Sequence, residues 1–351
     1  MRTISVLCTT KCGTGCGHCG YDSKSKGKGM PLDVVRALKE SAIRNNNQVK
    51  VTWTGGGEPL EWDDLPEAVE IMKDIPKITM SMVTSGCLDK KDPRLAILKE
   101  TLKRADGHII MTLSFNLFSK TFPQRLAFTL PYVLWKGTYE KTFIKMTNGF
   151  LMRGNRIRGY LLEEVQEEME KALGQAVGRC AKLIEFPCEG KHFSKTITPL
   201  LQKGENIGLE SWLSVKAFTT HTIYIPYNLA FLGKKIVGYG QFVDSHGRAK
   251  SILSATAENA DYNFSYGFSC GALCETLDLD LDGNFVICPY EEFPPLFLGK
   301  AGDNLDEVLE NKKKLAADLG MDELEIRGKS FDPCESCVCK AWELYYKQNK
   351  G

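Results

Sequence analysis

Three cysteines in one short loop constrain this chain more than any other feature of the sequence. Cys12, Cys16 and Cys19 are spaced C-x3-C-x2-C within the stretch KCGTGCGHCGY. Iron–sulfur clusters are usually held by four cysteines, and no fourth cysteine stands at a matching distance. The pattern therefore favours a cubane cluster in which one iron lacks a protein ligand. That iron keeps a coordination position for a substrate or cosubstrate.

A zinc site is the competing interpretation of this loop. Structural zinc needs four ligands, usually arranged as two pairs, and no His-x3-5-His pattern follows the cysteines. His18 stands between Cys16 and Cys19, too close to both to act readily as an independent fourth ligand. The residues of the loop therefore favour iron and sulfide over zinc.

Composition limits the class of protein. The chain has 351 residues, of which 43% are hydrophobic and 25% charged, and this is ordinary for a globular protein of one or two domains. A net charge of +1 argues against nucleic acid as a partner. There is no run of 18 apolar residues for a membrane span and no signal peptide. Thirteen cysteines in such a chain predict a cytoplasmic location and metal ligation.

The first half of the chain alternates between predicted strands and helices. Strands are predicted over 3–7, 49–54, 77–84, 108–115, 142–147 and 181–186. Helices are predicted over 31–45, 63–73, 92–104 and 161–173. Such alternation indicates a parallel sheet with right-handed crossovers, in which ligands bind at the carboxyl ends of the strands. The cysteine loop and the glycines at 55–57 both follow strands, at those ends.

Together these features resemble the radical SAM superfamily. The cysteine loop follows the first strand, and Gly56-Gly57-Glu58-Pro59, similar to the GGEP motif of that family, follows the second. The resemblance implies an α/β fold with a partial (β/α)6 barrel, and a [4Fe–4S] cluster on Cys12, Cys16 and Cys19 whose open iron binds S-adenosylmethionine. It also implies a 5′-deoxyadenosyl radical that abstracts a hydrogen atom from a substrate C–H bond.

The resemblance further implies which residues contact S-adenosylmethionine. The glycine loop and its glutamate would receive the methionine amino group, and the next two strand ends would line the ribose and carboxylate. The residues concerned are Gly56, Gly57, Glu58, Ser85, Ser114 and Asn116. His18 occupies the position from which an aromatic side chain touches the adenine in relatives, and an exposed loop histidine is the alternative.

From about residue 220 the pattern changes to strands, turns and further cysteines. Leu277, Leu279 and Leu281 alternate with aspartates in a predicted half-buried strand, and Asp282-Gly283 predicts a hairpin turn. The segment resembles the SPASM/twitch extension of radical SAM enzymes, so we predict a core over 1–219 and a small α+β domain over 220–351. The resemblance implies one auxiliary [4Fe–4S] cluster with ligands drawn from Cys270, Cys274, Cys288, Cys334, Cys337 and Cys339.

Zinc and calcium are the two other metals that this segment suggests. A structural zinc ion on the same cysteines stays open as an alternative. The run Asp278-x-Asp280-x-Asp282-Gly283 also matches the first half of a calcium-binding EF-hand loop. That loop needs a glutamate at its twelfth position, where this chain has Pro289, so the sequence argues against calcium.

The predicted function is modification of a ribosomally made peptide by crosslinking, thioether formation or epimerisation. Dehydrogenation or epimerisation of a small molecule such as a sugar or aminocyclitol is the alternative, and a non-catalytic iron–sulfur or zinc scaffold is the third hypothesis. Cys180 and Cys188 are candidate catalytic thiols, and buried free cysteine is the alternative reading of both. The predicted partners are the substrate and a one-electron donor such as flavodoxin or ferredoxin, without nucleic acid or membrane.

Overall fold

A mixed sheet with a parallel centre organises the structure. The computed structural model describes residues 2–16, 19–45, 49–116, 121–135, 144–153, 156–158, 170–171, 178–180, 220–224, 235–242, 276–290, 293–319 and 333–349. The strands are β1 Arg2–Thr9, β2 Val49–Gly56, β3 Thr79–Thr84, β4 Ile109–Asn116, β5 Ile144–Arg153, β6 Arg156–Arg158, β7 Gly178–Cys180, β8 Thr220–Tyr224, β9 Lys235–Phe242, β10 Thr276–Leu279, β11 Asn284–Val286 and β12 Phe297–Lys300. The longer helices are α1 Leu32–Arg44, α2 Leu65–Lys73, α3 Arg94–Ala105, α4 Phe122–Trp135, α5 Leu305–Asp318 and α6 Pro333–Gln348.

The strand order places the ligand-binding ends of the strands along one edge. The order is β12-β11-β10-β1-β2-β3-β4-β5-β9-β8-β7, and β6 pairs with β5. Every pair from β10 through β9 is parallel, so seven neighbouring strands run in one direction. Thr9 pairs with Gly56, and Thr84 with Leu113, so the loops after β1, β2 and β3 begin at the same edge.

The period of the apolar residues explains the first elements. Val49, Val51 and Trp53 alternate along β2 and are at most 2% exposed, as expected for one buried face of a strand. In α1, Val35 and Leu38 are fully buried at helical spacing. These residues belong to one buried cluster with the apolar side chains of β1, α2 and α3.

Most predicted elements of the first half are confirmed within a few residues. The predicted strands at 3–7, 49–54, 77–84, 108–115 and 142–147 correspond to β1 through β5. The helix predicted from 63 begins at Leu65, after a short 3₁₀ turn over Pro59–Glu61. Helix α4 is not among the predicted elements, and it contains Pro131 in its interior, where proline usually breaks a helix. The predicted strand 181–186, and all of the predicted helix 161–173 except helical residues 170–171, lie outside the described residues.

The chain beyond residue 219 contributes strands to the same sheet. β9 lies parallel beside β5, and β10 lies parallel beside β1 on the other side of the sheet. The predicted boundary at 219/220 therefore does not coincide with a break in the sheet, and the division into two domains stays a prediction. No helix in the described segments is both long and apolar enough to cross a membrane.

The predicted hairpin is confirmed, but its first strand is buried on both faces. β10 and β11 are antiparallel, and Gly283 in the turn has a φ of 83°, which glycine adopts readily. The Asp280 carboxylate accepts the backbone N–H groups of Asp282 and Asn284 at 2.9 and 2.8 Å, so it stabilises the turn. Leu277 and Leu279 are fully buried, and Asp278 is only 9% exposed, whereas alternation predicts a solvated aspartate.

Candidate active site

The cysteine loop follows the carboxyl end of β1. Residues 21–28 after it, here called the return segment, lie against residues 10–12. Cys12, Cys16 and Cys19 are half-buried and form no disulfide. The Cys12 N–H donates to the Lys24 carbonyl at 2.7 Å, and the Cys19 N–H donates to the Cys16 carbonyl at 3.3 Å. These hydrogen bonds hold the described parts of the loop at the ligand-binding edge of the sheet.

The glycine loop after β2 contacts the cysteine loop through its backbone. The Glu58 N–H donates to the Lys11 carbonyl at 2.8 Å. A Cβ atom on Gly57 would lie 2.2 Å from the Lys11 oxygen, and one on Gly56 would lie 2.8 Å from the Thr9 oxygen. Gly56 also has a φ of 74°. Only glycine fits this approach, which explains why the motif has glycines at these two positions.

The Glu58 carboxylate connects the end of β2 with the end of β3. It is 4% exposed and accepts hydrogen bonds from the Thr84 hydroxyl, the Leu60 N–H at 3.2 Å, and the N–H and hydroxyl of Ser85 at 2.8 and 2.6 Å. A buried carboxylate with four donors is well compensated. Glu58 and Ser85, both predicted cofactor contacts, are thus brought together in one hydrogen-bonded group.

Glu61 and Arg94 link the cysteine loop to the ends of β2 and β3. The Gly13 N–H donates to both Glu61 oxygens, at 2.8 and 3.0 Å, and Glu61 forms an ion pair with Arg94. Arg94 also donates to the Ser85 hydroxyl at 3.3 Å, and that hydroxyl lies 3.1 Å from the hydroxyl of Thr14. Gly13 and Thr14 both lie between Cys12 and Cys16. Glu61 and Ser85 therefore bind the cysteine loop at two neighbouring residues.

Sequence reasoning missed both Glu61 and Arg94. The available signal was a cation in the first turn of α3, where the helix dipole disfavours positive charge. A basic residue at that place suggests an acidic partner elsewhere in the fold. Which acidic residue it meets is decided by the tertiary structure, because Glu61 lies 33 residues away.

Burial shifts the pKa of the Cys12 thiol and that of the Arg94 guanidinium in opposite directions, whereas the nearby carboxylates raise both. Burial raises the pKa of the Cys12 thiol, and the negative charges of Glu58 and Glu61 add to the rise. Burial lowers the pKa of Arg94, but Glu58 and Glu61 more than compensate, so that its pKa is raised overall. Both pKa shifts favour the protonated form of the group, so a metal held by Cys12 would displace the thiol proton.

The donor set of the loop fits an iron–sulfur cluster. Three half-buried thiols without a disulfide suit a cubane with one open iron. Within the described segments, no three Cys, His, Asp or Glu side chains are gathered closely enough to hold a metal ion. Gly17 and His18, between the second and third cysteines, lie outside the described residues.

The structure places the remaining predicted residues at several different locations. Ser114 is half-buried near the end of β4, and Asn116 is the last residue of that strand. Cys180 ends β7, Cys288 is half-buried just after β11, and Cys339 is exposed on α6. Cys334 and Cys337 belong to the start of α6. The predicted residues outside the described segments are Cys188, Cys270 and Cys274.

A cavity of about 360 Å³ opens between the return segment of the cysteine loop and the β10–β11 turn. Its lining includes Thr9, Tyr21, Lys24, Lys28, Asp282 and Pro289. Lys28 and Asp282 form an ion pair of 2.9 Å across it. The rings of Tyr21 and Tyr290 lie 5.0 Å apart, so the chain just after Cys288 contacts the cysteine loop.

Comparison with known proteins identifies the region that carries this site. Residues 6–116 match the Radical SAM superfamily, and they contain the cysteine loop, the glycine loop and Ser85. "Probable GTP 3′,8-cyclase" of Methanococcus maripaludis (strain C6 / ATCC BAA-1332) is 32% identical over 94 residues, which are 26% of this chain and 30% of the relative. The chain thus spans less than a third of that relative, whose substrate does not transfer with the match.

Two solved structures are similar over most of the chain. BtrN in complex with AdoMet and 2-DOIA is 10% identical with a TM-score of 0.42, and the alignment covers 94% of this chain and 93% of BtrN. anSMEcpe with bound AdoMet and Cp18Cys peptide is 15% identical with a TM-score of 0.43, and covers 96% and 88%. At these values neither structure bears on what this chain binds.

Proposed function

We propose, from the match of residues 6–116 to the Radical SAM superfamily, that the chain is an enzyme that reductively cleaves S-adenosylmethionine. Cys12, Cys16 and Cys19 would hold a [4Fe–4S] cluster, and the carboxyl ends of β1 to β4 would hold the cofactor. The mixed α/β sheet with seven neighbouring parallel strands fits the partial barrel of this superfamily.

The direct contact between the cysteine loop and the glycine loop carries this proposal. The Glu58 N–H bonds to the Lys11 carbonyl, and Gly57 fits against the same oxygen only because it lacks a Cβ. Each motif alone is a short pattern that can arise by chance. Their contact supports one site with two parts, because the cluster must lie beside the cofactor that it reduces.

The residues of the chain have separate tasks in this reaction. When bound and reduced, the cluster supplies the electron that cleaves the cofactor to a 5′-deoxyadenosyl radical, which abstracts a substrate hydrogen atom. Gly56, Gly57 and Glu58 would receive the methionine amino group. The other proposed cofactor contacts are His18 at the adenine and Ser85, Ser114 and Asn116 at the ribose and carboxylate.

We also propose an auxiliary [4Fe–4S] cluster in the chain beyond residue 219, where the sequence resembles a SPASM/twitch extension. Its ligands would come from Cys270, Cys274, Cys288, Cys334, Cys337 and Cys339. The contact between Tyr290 and Tyr21 supports this proposal, since it brings the chain after Cys288 next to the catalytic loop. Zinc on the same cysteines is the alternative.

A ribosomally made peptide stays our first candidate substrate, on the strength of the resemblance to SPASM/twitch enzymes. The cavity of about 360 Å³ beside the cysteine loop favours the second candidate, a small molecule such as a sugar or aminocyclitol, because it has the size of a small-ligand pocket. Cys180 and Cys188 remain candidate thiols for either reaction. A flavodoxin or ferredoxin would supply the electron.

The first test measures iron, sulfide and zinc in protein purified without oxygen. Two cubanes predict about eight irons in the parent chain and about four after Cys12, Cys16 and Cys19 are all replaced by Ala. The parent should form 5′-deoxyadenosine from S-adenosylmethionine under strong reductant, and the triple variant should form none. Cys8→Ala is the matched control, because Cys8 is fully buried in β1 and outside the ligand set.

Each outcome selects one hypothesis. About four irons with one zinc would leave the catalytic cluster in place and make the second site structural. Iron without any 5′-deoxyadenosine would favour the non-catalytic scaffold. A parent protein that takes up no iron after reconstitution would contradict the proposed chemistry.

A further inference from the structure

One arginine contacts both of the side chains that hold the cysteine loop. Glu61 accepts the Gly13 N–H with both oxygens, at 2.8 and 3.0 Å, and Ser85 meets the Thr14 hydroxyl at 3.1 Å. Arg94 pairs with Glu61 through one terminal nitrogen and donates to the Ser85 hydroxyl, at 3.3 Å, through the other. A single guanidinium therefore fixes these two side-chain attachments of the loop relative to each other.

The pair of Glu61 and Arg94 is largely withdrawn from water. The Arg94 side chain is 7% exposed and that of Glu61 is 18% exposed. When one member of such a pair is removed, the other is left as a buried charge without its partner, which is strongly unfavourable. The neighbouring charged groups have partners of their own. Arg125 pairs with Asp92 at 3.8 Å, and the Glu58 carboxylate accepts four hydrogen bonds.

Gly13 directly follows the first cysteine of the loop, so its N–H is a candidate donor to a cluster sulfur. The Glu61 carboxylate takes that N–H instead and places a negative charge beside Cys12. Hydrogen bonds to sulfur and nearby charge are among the factors that set the reduction potential of an iron–sulfur cluster. A cluster with fewer N–H donors and more negative surroundings is harder to reduce and gives up its electron more readily.

We propose that Glu61 and Arg94 are a positioning pair that holds the cysteine loop and sets the reduction potential of the cluster the loop carries. This inference rests on the proposed function. Glu61 fixes the loop at Gly13 and lowers the potential. Arg94 orients Glu61 and Ser85. Its positive charge offsets the charge of Glu61, so the reduction potential is lowered less than by Glu61 alone.

Charge-neutral variants separate this role from a purely structural one. Glu61→Gln keeps an oxygen for the Gly13 N–H but leaves Arg94 without its counter-charge, so the midpoint potential should become more positive. Arg94→Gln leaves Glu61 without its counter-charge, so the potential should become more negative. The double variant should return close to the parent value. A structural disturbance alone gives no reason for shifts of opposite sign.

A second measurement needs no cluster. In metal-free, reduced protein, Glu61→Ala should let iodoacetamide alkylate Cys12 and Cys16 several-fold faster than in the parent chain, because the bonds to Gly13 are lost. Cys339, exposed on α6, serves as the internal reference. Glu67→Ala is the matched control, since Glu67 pairs with Arg36 at 3.3 Å on the exposed surface and should leave the rates unchanged.

The two measurements keep the inference separate from the function on which it rests. Faster alkylation in a chain that binds no iron would support the loop-holding role while sinking the radical SAM proposal. Unchanged alkylation in Glu61→Ala, or potentials of Glu61→Gln and Arg94→Gln that move in the same direction, would overturn the inference even if the parent is active. Should Glu61→Ala fail to fold, Arg94→Gln is alkylated in its place, with the same expected acceleration.

Discussion

Glu58 has a structural task in addition to any contact with a cofactor. Its carboxylate accepts four hydrogen bonds from the ends of β2 and β3, including two from Ser85. Glycines beside it let the backbone approach the cysteine loop more closely than any other residue would permit. At the residue scale, the site therefore depends on fit between two loops as much as on the chemistry of its side chains.

Replacing Gly57 by Ala tests this fit. The new Cβ would lie 2.2 Å from the Lys11 oxygen and 2.8 Å from the Thr9 oxygen, so the two loops must separate. We expect a loss of stability of about 1–3 kcal/mol, as for other overpacked sites, and less iron per chain at the catalytic cluster. Urea unfolding and iron analysis measure the two effects.

Gly302→Ala is the control for this substitution. A Cβ on Gly302 would meet only the Ala37 side chain, at an ordinary 3.9 Å. It should leave stability and iron content close to those of the parent. If Gly57→Ala and Gly302→Ala had the same stability and iron content, the close approach of the loops at Gly57 would be needed for neither property.

At the scale of elements, β10 is held beside β1 by a buried polar pair as well as by its leucines. Asp278 is 9% exposed, bonds to Ser5 of β1 and lies near Lys312 of α5, which is 1% exposed. Lys312 also donates to the Thr276 carbonyl. Burial raises the pKa of Asp278 to about 6, although Lys312 and the bond from Ser5 act in the opposite direction.

The raised pKa predicts how stability changes with pH. A carboxyl group whose pKa is higher in the folded than in the unfolded chain stabilises the fold when protonated, and this contribution is lost as the pH rises through about 6. Asp278→Asn stays neutral and lacks the effect. The free energy of unfolding of the parent minus that of the variant should be about 1 kcal/mol larger at pH 5 than at pH 7.5.

Urea titrations of both proteins at the two pH values measure this difference. Groups that titrate elsewhere in the chain cancel in the comparison, because both proteins contain them. A difference that stays constant between pH 5 and 7.5, or that grows with pH, would show that Asp278 is not a buried acid of this kind.

At the scale of the whole molecule, the end of the chain completes the sheet that its beginning starts. β10 pairs in parallel with β1, from Thr3 opposite Thr276 to Val6 opposite Leu279. Leu277, Leu279 and Phe285 are fully buried in the same cluster as the core of the first half. Residues 6–116, which match the radical SAM superfamily, therefore share their core with the β10–β11 hairpin.

Truncation after residue 275 should for this reason destabilise residues 6–116. Burial of each large apolar side chain contributes about 2 kcal/mol to the free energy of unfolding. Three of them account for much of the roughly 5–15 kcal/mol by which a typical domain is stable. We expect the truncated chain to lose its cooperative thermal unfolding, as followed by circular dichroism. Truncation after residue 332 is the control, because it keeps β10, β11, β12 and α5 and should retain the transition.

The sequence by itself determined the two motifs and most elements of the first half. Apolar residues at a period of two or 3.6 mark β1 to β4 and α1 to α3, and the cysteine and glycine loops follow their strands as predicted. These features are local, since each is written in a few consecutive residues. The turn at Asp282-Gly283 was predictable for the same reason.

Only the tertiary structure decided which distant segments meet. Parallel strands need long connections, so nothing local in the sequence shows that β10 lies beside β1 or that β9 lies beside β5. The ion pair between Glu61 and Arg94 likewise joins residues 33 positions apart in the sequence, so no local pattern predicts it. Composition and spacing identify residues able to carry chemistry, whereas the charges and hydrogen bonds around them are set by contacts that form only when the sheet is complete.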